Sequence, residues 1–451
     1  MNRHWVSYLP FILRSRLEGR LVFQQMIANT SWLLLDRALR LCVGLFIGVW
    51  VARYLGPEQF GTLNYVTALV SMFGAFASLG LEGIVVREIV RTPALTTVIL
   101  SSAFALRLSA SILSIFLLML SIVLMRPADY QSAWLVGIIG AGLLFQSFDV
   151  IDLWFRSQVQ SKYSVFAKNA AFIISAALKV VLVLSKAPLA AFACVALTET
   201  VLGAAGLIFF YVRIGSLRDL WHPVITTTRW LLKAGWPLLL TSLTAMVYMR
   251  IDQIMIGQML GDKEVGIFSA AVRISEVWYF IPTAIVGSAF PAIMTLKMND
   301  EVLYSIRLQM MYTVLTMLGL CAAIIVTFFS HDLIQLLYGA KFTPAADILS
   351  LHIWSGIFVF QIIASGSWLM AENLQLYSLY RAAIGCVVNV ILNIFMIPQF
   401  GILGAAYSTL ISYASVVVSL LFFARTRQCA LMIIRSFWPF SGFRQNHYTA
   451  S

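Results

Sequence analysis

The sequence predicts an all-α polytopic membrane protein, on three observations: a dozen apolar runs of membrane-spanning length, connections too short for any soluble catalytic domain, and basic residues concentrated in alternate connections. Hydrophobic residues fill 61% of the 451 positions and charged residues 11%, whereas soluble domains carry about 25% charged residues. A bilayer core roughly 30 Å thick takes about 20 apolar residues per helix, because no water is available there to satisfy an exposed backbone. That criterion places spans at 31–54, 60–81, 99–125, 131–153, 164–184, 187–211, 233–259, 266–291, 309–329, 346–370, 378–397 and 404–424.

Lys and Arg resist translocation and accumulate in cytoplasmic loops. With the N-terminus inside, 18 of them fall in the tails and cytoplasmic turns, against five on the opposite face: Arg53, Arg126, Lys186, Lys263 and Lys341. Both termini are therefore expected in the cytoplasm. The net charge of +12 is mostly this topology signal, so acidic membrane lipids rather than nucleic acid are the expected partners.

Residues 1–30 carry Arg3, Arg14, Arg16 and Arg20 around the short apolar run Leu9 to Leu13, a pattern that fits an in-plane amphipathic helix or a solvated tail equally well. Residues 425–451 read as a cytoplasmic C-terminal tail. The cysteines, Cys42, Cys194, Cys321, Cys386 and Cys429, have no paired spacing. They read as small buried apolar residues, with neither a disulfide framework nor a metal site.

The longest internal break, residues 212–232, divides the spans into two groups of six, an N-lobe over 31–211 and a C-lobe over 233–424. LGPEQFG at Leu55 to Gly61 and LGDKEVG at Leu260 to Gly266 share the pattern Leu-Gly, four residues, Gly. Each joins the first and second spans of its half, as a duplication requires. Six is even, so both halves enter the membrane in the same direction, an arrangement in which substrate sites lie between the lobes. The expected architecture is two six-helix lobes around a central cavity. Gly44, Gly48, Gly74, Gly80, Pro237 and Pro282 are potential kink points or close-packing positions.

No catalytic constellation is visible. The five histidines pair with no Cys, Ser or carboxylate, and no Walker-type loop or dinucleotide fingerprint occurs. The reading is a transporter with no cofactor rather than an enzyme. What remains is a set of ionisable residues inside the spans: Asp36, Arg37, Arg40, Arg107, Asp149, Lys168, Lys179, Glu199, Arg250, Asp252, Arg273, Glu276 and Arg381. Each costs about 2.5–3.5 kcal/mol at a helix centre, so such residues face a cavity or a partner. Asp36 with Arg40, Arg273 with Glu276, and Asp149 and Asp152 with Arg156 have the spacing of pairs within one helix. Lys168 and Lys179 lie on one face about 16 Å apart, and Arg107 and Arg381 have no acidic neighbour within a turn. The eight cations within the spans outnumber the clear anions, which points to an anionic substrate group such as phosphate. Arg40, Arg107, Lys168, Lys179, Arg250, Arg273 and Arg381 are the expected cationic cavity, with snorkelling to headgroups as the alternative for Arg40, Lys168, Arg250, Arg273 and Arg381. Asp36, Glu199 and Asp252 are candidates for ion coupling.

Residues 55–91, LGPEQFGTLNYVTALVSMFGAFASLGLEGIVVREIVR, resemble the first-repeat signature of bacterial polysaccharide-transport proteins. These are the O-antigen flippases of the multidrug/oligosaccharidyl-lipid/polysaccharide exporter superfamily. RIDQIMIGQMLGDKEVGIFSAAVRISEVWYFIPTAI, within 235–291, resembles the second-half counterpart. DVIDLWFRSQVQSKYSVFAKN (149–169) is similar to the segment after the fourth helix, and LYGAKFTPAADILSL to the loop entering the tenth. The resemblance implies translocation of an undecaprenyl-pyrophosphate-linked oligosaccharide repeat unit for O-antigen or another surface polysaccharide. It also implies alternating access and work alongside a polysaccharide polymerase and a chain-length regulator. A drug/cation antiporter of the same superfamily would need an acidic cavity. A polysaccharide polymerase or ligase would resemble others of its kind in carrying a large outward loop, which this chain lacks.

Overall fold

In the computed structural model, residues 21–214, 217–297 and 300–438 are described, with side chains from Leu39 onward except at 218, 219 and 291. The expected in-plane helix or tail at 1–30 lies largely outside them, as does the side chain of Asp36. The described residues form helices throughout: α1 (Leu21–Ser78), α2 (Glu82–Arg91), α3 (Thr96–Met125), α4 (Tyr130–Gly140), α5 (Gly142–Gln146), α6 (Asp149–Ser157), α7 (Ser161–Leu184), α8 (Leu189–Val212) and α9 (Ile225–Met259). There follow α10 (Asp262–Val277), α11 (Phe280–Lys297), α12 (Glu301–Phe328), α13 (Ser330–Tyr338), α14 (Ala345–His352), α15 (Ser355–Ala371), α16 (Gln375–Phe400), α17 (Ile402–Val418) and α18 (Arg427–Ser436).

Ten continuous helical segments among the described residues are long and apolar enough to cross a membrane. The pair α14 and α15, bent by 42°, makes an eleventh. One of these segments, Leu39–Arg91, has 53 residues, or about 80 Å of helix, far more than one bilayer crossing. It bends at Gly56, whose φ of 72° and ψ of 173° interrupt the helical path. The two arms on either side of Gly56 coincide with the first two spans expected from the sequence, which this single helical segment merges.

Other expected kinks behave differently. Helix α9 runs unbroken through Pro237, and Pro282 is the third residue of α11, where its missing N–H removes no helical hydrogen bond. Cys429 is buried, whereas Cys42, Cys194 and Cys321 lie on the outside of the bundle.

Where the lobes join follows from the buried cores. One core combines both halves, with Val49, Leu55, Phe60, Tyr65 and Val66 packed with Ile254, Val265, Phe268, Ile334 and Phe342. These residues surround the two repeated turns, and this end is referred to below as the repeat end. Toward the opposite end, which carries the 212–232 connection, the core divides. Leu81, Val85, Leu100, Val150 and Phe155 form an N-lobe cluster, and Tyr304, Leu308, Tyr312, Phe360 and Leu369 form a C-lobe cluster. Apolar burial thus holds the lobes together at one end and leaves them with separate cores at the other. The first part of α9 closes one side of that opening: Gly80 approaches the backbone of Leu238 and Leu239 so closely that a Cβ there would stand 2.5 Å from the Leu239 nitrogen.

The repeated turns pack against each other. Gly56 (φ 72°) and Gly261 (φ 99°) hold equivalent left-handed positions, which a side chain would strain. Five residues on, a Cβ at Gly61 would lie 1.7 Å from the Asp262 carbonyl oxygen, and one at Gly266 would lie 1.9 Å from the Pro57 carbonyl oxygen. Each repeat's glycine receives the other repeat's backbone, as in a two-fold interface. The spacing read in the sequence as a duplication is therefore also the seam between the lobes.

Helix α18 packs Cys429, Ala430, Ile433 and Ser436 inward. Cys429 meets the Tyr312 hydroxyl at 3.1 Å and Ser436 meets Thr316 at 2.6 Å. Residues 427–436 are thus fastened to the C-lobe through α12, within a stretch that the sequence suggests is a plain tail.

Candidate functional site

Below the seam, the span residues that carry charge are drawn from both lobes. Arg273 on α10 is exposed between Val272 and Ile274, which are buried. Its guanidinium lies across Gly48 of α1, where a Cβ would stand 2.5 Å from Nη1. Gly48 is therefore a place where the N-lobe backbone yields room to a C-lobe arginine. The sequence spacing suggests a pair between Arg273 and Glu276, but Glu276 lies 3.4 Å from Arg250 of α9 instead. Arg273 has no carboxylate within ion-pair distance among the described residues.

Across from it, Glu199 of α8 collects three partners. Lys179 of α7 is 3.4 Å away, Arg40 of α1 is 4.0 Å away, and the Ser175 hydroxyl donates to it at 2.7 Å. Arg40 also rests over the Phe172 ring, 5.1 Å from its centroid. The side chains of Arg40, Lys179, Glu199, Arg250 and Glu276 are all about one-quarter to one-third exposed. Arg40 precedes Gly48 by eight residues on α1, about 12 Å along the helix, so the helix that Arg273 crosses also carries a member of the Glu199 group. With Arg273 these side chains make four cations and two carboxylates, referred to below as the belt.

Other expected cavity cations are placed elsewhere. Arg381 of α16 is 6% exposed and donates to the Ser365 hydroxyl at 2.7 Å and to the Ile362 carbonyl at 3.2 Å. It cross-links α15 and α16 inside the C-lobe. Lys168 of α7 is not a free wall cation, because Asp149 at 2.8 Å and Asp152 at 3.0 Å neutralise it. Arg156 completes that group, donating to Asp152 at 2.8 Å. Arg107 of α3 is 4% exposed and lies 3.8 Å from Glu82 at the start of α2.

Of the ion-coupling candidates, Glu199 is held by the belt cations. Asp252 of α9 is 3% exposed and has no cation beside it among the described residues. Its carboxylate instead accepts from the Asn393 amide and the Thr409 hydroxyl, both at 2.5 Å. Asn393 also donates to Asn389 at 3.2 Å. Asn389, Asn393 and Thr409 are themselves buried, and the Asn393 side-chain oxygen has no hydrogen-bond partner. The charge-based reading of the sequence overlooks these three. The visible signal was NVILN, two amides one helical turn apart within an apolar run, a spacing that turns both toward the same neighbour.

At the repeat end a polar latch lies over the glycine seam. Arg126, just past α3, donates to the Gly257 carbonyl at 2.8 Å and to Asp262 at 2.7 Å, while stacking on Tyr65 at 3.8 Å. Thr62 donates to the other Asp262 oxygen at 2.6 Å, and Gln258 to the Tyr65 hydroxyl at 2.6 Å. Asp129 lies 3.3 Å from Arg126. Partial burial would raise the Asp129 carboxyl, but the Ser132 bonds and Arg126 outweigh it and hold the pKa below the ordinary value. The bonds from Arg126 to Gly257 and Asp262, from Thr62 to Asp262 and from Gln258 to Tyr65 each tie one lobe to the other.

The family model described as polysaccharide biosynthesis protein matches residues 26–297, a stretch that holds the seam, the latch and the whole belt. The chain belongs to the polysaccharide biosynthesis protein family. A second model, MatE, matches residues 237–395 of this family member. It is 26% identical over 382 residues to the probable flippase AglR of Haloferax volcanii, covering 82% of this chain and 77% of that protein. Among solved structures it resembles the lipid II flippase MurJ in an inward closed conformation, with a TM-score of 0.70, 16% identity, and 92% and 93% of the two chains covered. It also resembles a multidrug resistance MATE family transporter in an inward-facing conformation, with a TM-score of 0.62, 15% identity, and 91% and 96% covered. These structures share the fold.

Proposed function

We propose that this chain is a flippase for lipid-linked oligosaccharides in surface glycan synthesis. The observation that carries the reading is the group of Arg40, Lys179, Arg250 and Arg273, drawn from both lobes, with Glu199 and Glu276 as its ion-pair partners among the described residues. Such a belt suits a phosphate or pyrophosphate group, which accepts several charge-assisted hydrogen bonds from Arg and Lys. A sugar head would occupy the space between the lobes while the lipid tail stays in the bilayer. The names of AglR and MurJ, both flippases, support the same reading. Undecaprenyl pyrophosphate is the proposed carrier, and an O-antigen or other surface-polysaccharide repeat unit the proposed load. A polymerase and a chain-length regulator would take it up on the far side.

The repeat end is the proposed outer gate of an alternating-access cycle, shut here by the seam and the Arg126 to Asp262 latch. With the cell interior negative, moving one negative charge outward is favoured by about 2.3 kcal/mol per 100 mV, so the membrane potential drives export. Asp252, Asn389, Asn393 and Thr409 are the proposed coupling site. A buried carboxylate held by an amide N–H and a hydroxyl suits uptake of a proton, and rotation of the Asn393 amide to present its oxygen would add a ligand for a hard monovalent cation.

The test is transport of a pyrophosphate-linked oligosaccharide in reconstituted vesicles. Arg273→Gln should reduce the rate at least about tenfold, the loss of one charge-assisted contact, with unchanged membrane level. Full transport by both Arg273→Gln and Lys179→Gln would reject the belt as the binding site.

A further inference from the structure

The most buried arginine of the N-lobe lacks what a guanidinium needs. Arg107 is 4% exposed, makes no hydrogen bond among the described residues, and has a buried Nε with no partner. A guanidinium carries five donors, and buried donors are ordinarily satisfied. The nearest anion is Glu82, 3.8 Å from Nη2, too far for a hydrogen bond. The other Glu82 oxygen lies 3.9 Å from Nη1 of Arg156, again without bonding. Two guanidiniums therefore flank one carboxylate that satisfies neither.

Glu82 is 60% exposed, so little packing holds it there. It opens α2, whose Ile84, Val85 and Ile89 are buried while Arg87 and Arg91 are exposed. That is the pattern of a helix lying along a membrane surface. Arg107 is 11 residues into the 30-residue α3, about 16 Å along a helix of about 45 Å. It stands about one and a half turns from Ser101 and Ser102, which donate to the His222 and Val224 carbonyls, so the site lies toward the end of the bundle that carries the 212–232 connection. Behind it, Lys168 is fully matched by Asp149 and Asp152. With Glu82 in place the group is neutral, and with Glu82 swung outward it carries one positive charge.

We propose that Arg107 and Arg156 form a phosphate-docking site guarded by Glu82, which receives the phosphate groups of a membrane lipid before they reach the belt. A phosphate has more acceptor oxygens and more charge than a carboxylate, so it displaces Glu82 and satisfies both arginines. The assignment of a lipid-borne phosphate rests on the flippase reading. The site itself rests on the unsatisfied Arg107.

Inorganic pyrophosphate titrated into the purified full-length protein in nanodiscs tests it. Glu82→Gln should tighten binding by about tenfold through loss of a competing charge, and Arg156→Gln and Arg107→Gln should weaken it at least about tenfold. Glu82→Gln and Arg156→Gln alter partly exposed side chains and carry the test should Arg107→Gln not fold. Unchanged affinity in the first two, or binding lost in Arg273→Gln alone, would overturn the site. Farnesyl pyrophosphate should compete at lower concentration than inorganic pyrophosphate, and equal competition would overturn the lipid assignment in favour of free phosphate. A protein that binds here with the expected variant effects and moves no glycan would support the site and contradict the flippase reading.

Discussion

Arg273 and Arg381 are both arginines within apolar helices, and their surroundings give them opposite duties. Arg273 is exposed over Gly48 with no carboxylate in reach among the described residues, whereas Arg381 is sealed between α15 and α16. Replacing Arg381 with Met removes a buried charge while Ser365 keeps its bond to the Gln361 carbonyl. Arg381→Met should be neutral or stabilising, on the order of 1 kcal/mol, and should leave transport within about twofold of wild type. Thermal melting beside a vesicle assay checks both, and a transport loss equal to that of Arg273→Gln would return Arg381 to the binding site. Asp252→Asn should abolish any dependence of transport on an imposed sodium or proton gradient while sparing the potential-driven component. A persistent gradient dependence in that variant would place coupling elsewhere. Sequence alone marked Asp252 and Arg273 because a charge in an apolar run is conspicuous. It gave no weight to Asn389, Asn393 or Thr409, whose role comes only from the register of α16 and α17 against α9.

At the scale of elements, the duplicated turn was legible as a repeat, but its partner was not. Nothing in LGPEQFG or LGDKEVG states that each will pack on the other, because that depends on how the two lobes meet. Gly61 and Gly266 are where the backbones come within van der Waals range, so a larger residue prevents closure. Gly61→Leu should hold the repeat end open, raising the labelling of a cysteine introduced beside the latch and slowing transport. Labelling equal to that of the parent would show that the seam does not close. The latch adds a pH dependence. Because the Asp129 pKa is lowered on folding, its contribution is complete above the ordinary carboxylate value near 4 and is lost as pH falls through the lower folded value. Acidifying the face that carries Asp129 below about pH 4 should loosen the Arg126 to Asp129 contact. Asp129→Asn should remove that sensitivity in the same labelling assay. Ion pairs were the least legible elements. Arg250 takes Glu276 from Arg273, and Glu82 reaches Arg107 and Arg156, since pairing within a helix competes with pairing across helices that only the fold brings together.

For the molecule as a whole, the fold was readable from hydropathy because the bilayer allows few alternatives to a closed set of helices. The expectation of twelve passes, two halves and a central site follows from span length and parity, and the described residues bear out the all-α membrane fold. The distribution of burial was not readable, since a lipid-facing and a core-facing leucine look alike in sequence. The shared core at the repeat end and the divided cores beyond it are the features that the proposed rocking about one end would use. Export driven by potential alone should rise with inside-negative voltage and vanish when the voltage is clamped to zero. The most direct measurement is the voltage-driven movement of a pyrophosphate-linked oligosaccharide in vesicles containing wild-type protein or Arg273→Gln. Wild type should accumulate the glycan head on the positive side and Arg273→Gln should not, with both proteins equally folded; equal accumulation, or none by wild type, would contradict a basic belt that carries phosphate between the lobes.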